Sequence, residues 1–232
     1  MNKALFEILS RLRAIAMTTL KPISTYWLAK PSVKPLSSKF GFDRGAPIDR
    51  YYIDLFVSQN KKHIKGRVLE IGDNIYTKTY GKKKVVISDV LDINTKNKKA
   101  NIIDDLRTLS TVADNTYDCV ILTHVLGMID DMPAAVKQLH RILKPGGVII
   151  VTLSCFSPSH DDNISYWRFT KYSGEYVFMS MFKKKNIKAE TFGNVLSSQC
   201  FWVGAAQSDL TKEQLDFNDR HFPCIVGVLV QK

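Results

Sequence analysis

From Arg67 onward, short and nearly continuous apolar runs recur at 67–71, 84–88 (KVVIS), 117–123 (YDCVILT), 147–153 (GVIIVTL), 187–192 and 222–230. A strand with one face in water alternates apolar and polar residues, so unbroken runs predict strands buried on both faces. Between the third and fourth runs, Met132, Ala135, Val136, Leu139, Ile142 and Leu143 share one face of a helix, and Lys144-Pro145-Gly146-Gly147 is the expected stop. The pattern predicts an α/β chain whose mostly parallel, doubly wound sheet carries helices on both faces.

At 232 residues and 45% hydrophobic content the chain suits one such domain with an extension. Residues 1–45 form that extension and 46–232 the domain. Before Asp43 the extension holds a single acid, Glu7, against seven lysines and arginines, and Leu5, Ile8, Leu9, Leu12, Ile15 and Ala16 follow helical spacing. A basic amphipathic helix is expected there, packed on its own domain or a dimer partner, or lying on an anionic membrane surface. Glu7, Arg11 and Arg13 interrupt any signal-peptide core, and no uncharged run suits a membrane span. The four cysteines form no C-x-x-C pair, as expected of small buried residues in a reducing cytoplasm. No His, Cys or Asp cluster has metal-ligand spacing, so no metal is expected.

The turn after the first run is G-R-V-L-E-I-G-D-N-I-Y-T at 66–77. Only Gly72 stands in the turn itself, no G-x-x-x-x-G-K-[ST] occurs anywhere, and Glu70 and Asp73 would repel phosphate. A cofactor with an ammonium group and no phosphate fits this loop. Asn74 occupies the place of a second glycine and is expected to tolerate a left-handed backbone. The second run ends in Ser88-Asp89, which sets Asp89 at a strand's carboxyl end, where a carboxylate accepts from a ribose diol.

V-L-E-I-G at 68–72, Asp89, I-I-D-D-L at 102–106, Y-D-C-V-I-L-T-H-V-L at 117–126 and H-R-I-L-K-P-G-G-V-I-I-V-T at 140–152 resemble the ordered motifs of class I S-adenosylmethionine-dependent methyltransferases. The resemblance spans residues 45 to 232 and implies a Rossmann-like, seven-stranded sheet. G-A-P-I-D-R-Y-Y-I at 45–53, Y-W-R-F-T at 166–170, F-G-N-V-L at 192–196 and H-F-P-C-I-V at 221–226 further resemble the methyltransferase type 11 group associated with bacterial surface-polysaccharide or glycan assembly.

By that resemblance the S-adenosylmethionine contacts are Glu70, Gly72 and Asp73 at the methionine part, Asp89 at the ribose, Val90 against adenine, Asp105 and Leu106 at the adenine edge, and Thr123 beside the reacting methyl. His124, after an apolar strand end, and His160, beside Asp161 and Asp162, are the candidate bases. Tyr166, Trp167 and Arg168 bring two aromatics and a cation into one segment, and Arg44, Arg50, Tyr51 and Tyr52 are expected to close the site from the N-terminal side. Both suit an acceptor wall, because aromatic faces stack on sugars and arginine grips oxygen groups.

The leading expectation is O-methylation of a sugar hydroxyl on a small-molecule or glycan acceptor, in the cytoplasm or at the inner face of the membrane. A second reading follows from the formal charge, 33 − 22 = +11: methylation of RNA or another anion, with steeply salt-dependent binding. The lysine runs lack interleaved aromatics and disfavour it. A third reading, a non-catalytic scaffold on the same fold, follows from Asn74.

Overall fold

The computed structural model describes residues 32–159 and 164–232. The expected N-terminal helix and His160 lie outside them. Seven strands form one sheet: β1 (Gly66–Ile71), β2 (Val85–Asp92), β3 (Ile102–Ile103), β4 (Tyr117–Thr123), β5 (Leu143–Ser154), β6 (Ile187–Phe192) and β7 (Ile225–Gln231). Their order is β3-β2-β1-β4-β5-β7-β6, and every neighbouring pair is parallel except those made by β7. The chain starts at the sheet centre, winds out to β3, and returns to lay β4 beside β1. That reversal opens a crevice at the strands' carboxyl ends.

The unbroken apolar runs follow from two cores, one on each side of the sheet. On β4, Cys119 and Ile121 join α1 (Ile48–Gln59) and α4 (Val195–Trp202), whereas Val120 and Leu122 join α2 (Met132–Ile142) and α3 (Lys171–Phe178). β5 divides in the same way, Val148 and Ile150 to one side and Ile149 and Val151 to the other. Where α1 crosses β7 the approach is so close that a Cβ at Gly227 would stand 2.4 Å from the Phe56 ring. The helices begin at legible signals: Asp131 caps α2, and Thr170 and Asn194 make capping boxes on α3 and α4. Thr211 caps the short α5 (Lys212–Asp216) in the same way.

The sheet departs from the sequence reading at the end of β2 and at the start of β5. β2 runs four residues beyond Ser88, because Asp89 finds polar partners inside the sheet and need not end the strand. Lys144-Pro145-Gly146-Gly147 is not a helix cap: Leu143 is already extended and paired with Tyr117, pairing resumes at Val148 with Cys119, and the four residues form a bulge with Gly146 at φ +79°. The link from β1 to β2 holds only a π-helical turn, Thr77–Gly81, and a short 3₁₀ turn. The short-helix expectation for this link matches. Among the described residues no α-helix follows β2 or β3, and Val86 is left 81% exposed.

Candidate functional site

Two cavities adjoin at the carboxyl ends of the central strands. The first, about 380 Å³, lies at the reversal between β1 and β4. Ile71 and Leu91 form its back, and Asp92 and Ile93 come from the end of β2. Asp104, Asp105 and Leu106 follow β3, and Val125, Met128 and Ile129 follow β4. Apolar walls with a few placed carboxylates describe a site for a flat polar heterocycle on a diol-bearing sugar.

Asp92 is the acid at the true end of β2. Its carboxylate accepts from Asn94 N (2.8 Å) and from Asn97 Nδ2 (2.6 Å), and Asn97 Nδ2 also donates to Gly72 O at 2.6 Å. One carboxamide thus ties the first loop to the second. Asp105 is gripped by Arg107, which reaches on to Asp130 at 2.7 Å and so bridges the loops after β3 and β4. The Arg107 guanidinium beside it, helped by the Arg107 amide, holds Asp105 below the usual carboxylate range.

The second cavity, about 240 Å³, opens at Thr123 and His124. Asp49 and Arg50, in the first turn of α1, form one side; Trp167 and Arg168 face them; Phe42 and Phe201 add aromatic surface. Met128 lines both cavities. The extended segment 164–168 divides them, with Ile164 and Tyr166 toward the first and Ser165, Trp167 and Arg168 toward the second. Gly127 O accepts the amides of Tyr166 and Trp167, and Trp167 Nε1 donates to Ile129 O at 2.8 Å, which fixes this wall to the end of β4.

Three features single out His124. Its backbone is left-handed, φ +58°, a conformation that costs a non-glycine residue of order 1 kcal/mol or more. Its Nδ1 lies 3.5 Å from Asp49 Oδ2. Its Nε2 is buried without a hydrogen-bond partner, as are Asp49 Oδ1 and Thr152 Oγ1. Burial pushes the imidazole down to about 4, against the pull of Asp49 and with the help of Arg50 and Arg168, so it is neutral at physiological pH.

The structure gathers some of the sequence candidates and disperses others. His124, Thr123, Arg50, Trp167 and Arg168 share the second cavity, and Asp105, Leu106 and Tyr166 the first. Asp89 is a correction: it sits within β2, 4% exposed, bonded to Arg67 Nε (2.8 Å), Asn101 Nδ2 (2.7 Å) and Tyr117 OH (3.1 Å). Burial alone would raise its carboxyl, but these donors outweigh it and the net shift is downward. Val90, expected against adenine, is likewise inside the strand with both backbone groups held by Asn101 and lines neither cavity, whereas Ile93, just beyond the strand, is exposed and lines the first.

Glu70 lines neither cavity. Its carboxylate accepts from Tyr76 N, Thr77 N and Thr77 Oγ1 at 3.1, 2.8 and 2.7 Å and so folds the loop. Asp73 accepts from Ile75 N and faces Lys99, also outside the lining. Gly72 carries the left-handed bend, φ +81°, with nothing within 4 Å of a would-be Cβ, whereas Asn74 has an ordinary φ and donates to Ser88 Oγ. Arg44 is spent on Asp209 (3.1 Å), and Tyr51 OH donates to Asp216 on α5, so neither reaches an acceptor. Asp92, Ile93 and Asp49 were missed, although V-L-D-I-N repeats the strand-end acid and I-D-R follows the proline that precedes α1.

Residues 41–190 match the family model described as "Methyltransferase domain". Over 39 residues, 17% of this chain, it is 46% identical to a ubiquinone/menaquinone biosynthesis C-methyltransferase, UbiE, of Haemophilus ducreyi. Over 88 residues, 34% of this chain, it is 31% identical to the mitochondrial arginine-hydroxylase NDUFAF5 of Rattus norvegicus. These stretches span 15% and 24% of the two relatives' own lengths. A crystal structure of a putative sarcosine dimethylglycine methyltransferase from Galdieria sulphuraria superposes with a TM-score of 0.55 at 14% identity, over 90% of this chain and 97% of that one. The chain belongs to the methyltransferase domain family, that is, it carries a class I S-adenosylmethionine-dependent methyltransferase domain, and its likeness to the Galdieria structure is one of fold. The residues present fit that cofactor: open space beside Gly72, a carboxylate ending β2, and an apolar slot closed by Leu106 and Ile129.

Proposed function

We propose that this methyltransferase O-methylates a sugar hydroxyl, on a free or glycan-linked acceptor seated in the 240 Å³ cavity, with residues 46–232 as the catalytic domain. The observation that carries the reading is the Asp49–His124 pair, largely buried in the lining of this cavity. In the first cavity Asp92 would accept from the ribose hydroxyls, Asp105 from the exocyclic amine of adenine, and Ile93 would lie against the ring. S-adenosylmethionine, when bound, supplies an electrophilic methyl group on a sulfonium.

The chain's own task is to align a weak nucleophile and take its proton. A sugar hydroxyl is not ionised at neutral pH, so a base within reach is worth about 10² to 10⁴ in rate. Neutral His124 can serve as that base, because a carboxylate at Nδ1 leaves the lone pair on Nε2. Trp167, Phe42 and Phe201 offer faces to a sugar ring, and Arg50 and Arg168 offer donors to its oxygens. Methyl transfer from labelled S-adenosylmethionine to a panel of sugars, nucleotide sugars and oligosaccharides tests the reading. The expected result is turnover that falls by at least about tenfold in His124→Gln with cofactor affinity unchanged; full turnover in that variant would refute His124 as the base.

A further inference from the structure

A third cavity, about 660 Å³, belongs to neither of those described. Its walls are Phe156 and Phe169, from the segments flanking β5 and α3, together with Trp202 at the end of α4 and Phe222 before β7. Trp202 and Phe222 are 53% and 54% exposed, an unusual waste of aromatic surface unless something covers it. At the rim stand Lys171 and Arg220, with no carboxylate of the described residues within 4 Å of either, and no acid lines the cavity. His221, also in the lining, faces Asp219 at 3.4 Å, and Tyr172 adds a neutral phenol. The Cys155 thiol is pushed up to about 12 by burial and brings no negative charge.

An apolar floor of aromatic faces beneath two cations that have no carboxylate partner among the described residues suits an occupant that is apolar along its length and anionic at one end. The volume falls within the roughly 300–1,000 Å³ of small-molecule sites. Phe156 stands between this cavity and the acceptor cavity, with its ring 5.8 Å from Phe201, which lines the latter, and 5.7 Å from Trp202, which lines the former. We propose that the third cavity binds a single-chain amphiphile with an anionic head group, its chain against Trp202, Phe222 and Phe156 and its head between Lys171 and Arg220.

The probe is decyl phosphate, below the concentration at which it forms micelles, titrated calorimetrically into the full chain with Trp emission followed in parallel. Saturable one-to-one binding is expected, weakened about tenfold by Arg220→Glu and about tenfold by Trp202→Ala, each near the ~1.4 kcal/mol of one lost contact. Octyl glucoside, which has a chain but no charge, and inorganic phosphate, which has a charge but no chain, are expected to bind much more weakly than decyl phosphate. Both replaced residues are exposed, so the thermal unfolding temperature should not move. No saturable binding, or binding indifferent to both substitutions, would overturn the proposal. So would binding seen only after removal of residues 1–31, since the cavity would then belong to that segment.

Discussion

Asp89 and Asp92 lie three residues apart on one strand, and their surroundings give them opposite work. Asp89 has three protein donors and no cavity; Asp92 ends the strand and faces one. Asp89→Ala would strand Arg67 Nε, the Asn101 amide and the Tyr117 hydroxyl, at an expected cost of about 2–4 kcal/mol in stability, read as a drop in urea midpoint. Because its folded carboxyl is held below its ordinary value, that contribution is present above the unfolded pKa and is lost as pH falls through the lowered one. His124 behaves differently at higher pH. Its folded value of about 4 lies below the ordinary 6.5, so the unfolded chain takes up the proton first and stability declines as pH falls from about 6.5 to about 4. His124→Gln should flatten that decline, by up to about 3 kcal/mol across the window, in denaturant melts at several pH values.

At the scale of elements, what was legible depended on whether local pattern or tertiary partners set the outcome. β4, β6 and α2 match their runs because the apolar side chains that set each pattern are the ones buried, and the cap of α2, Asp131, is local. β2 was ended too early because a polar Ser88-Asp89 pair reads as a strand end, and nothing local announces Arg67, Asn101 and Tyr117 as partners. β3 has only two residues and carries no periodicity. The acceptor side was partly legible: Thr123 and His124 stand where β4 ends, and Trp167 and Arg168 stand in the loop before α3, but Asp49 comes from a helix far away in sequence and only the packing of α1 brings it to His124. Arg107, which joins the loops after β3 and β4, was silent in the sequence. Arg107→Ala is expected to weaken S-adenosylhomocysteine binding about three- to tenfold with little change in unfolding temperature, since the ion pairs it makes are partly exposed. Unchanged affinity would show that Asp105 needs no bridge.

At the scale of the whole molecule, three lysine clusters of the described residues lie at the opposite end of the sheet from the cofactor and acceptor cavities, whereas Lys96, Lys98 and Lys99 follow β2 at the cavity end. Lys61, Lys62 and Lys65 lead into β1, Lys82, Lys83 and Lys84 into β2, and Lys183, Lys184 and Lys185 into β6. These are amino ends of mutually aligned strands, whereas both cavities open at carboxyl ends. An RNA threaded into the acceptor cavity would not be gripped by those lysines. Cofactor binding and turnover should therefore vary less than about twofold between 50 and 300 mM salt, against the orders of magnitude lost by a protein making many phosphate contacts. A steep decline would return the charge of +11 to the centre of the function. Among the described residues no helix is long and apolar enough to cross a membrane.

The central claim is that the crevice between β1 and β4 holds S-adenosylmethionine through the acid that ends β2. Calorimetric titration of S-adenosylhomocysteine into the wild-type chain, Asp92→Ala and Asp89→Ala tests it most directly. The expected result is micromolar binding by the wild type, a loss of at least about tenfold in Asp92→Ala without loss of stability, and retained binding by whatever fraction of Asp89→Ala stays folded. Wild-type affinity in Asp92→Ala together with abolished binding in folded Asp89→Ala would contradict it and place the ribose deeper along the strand.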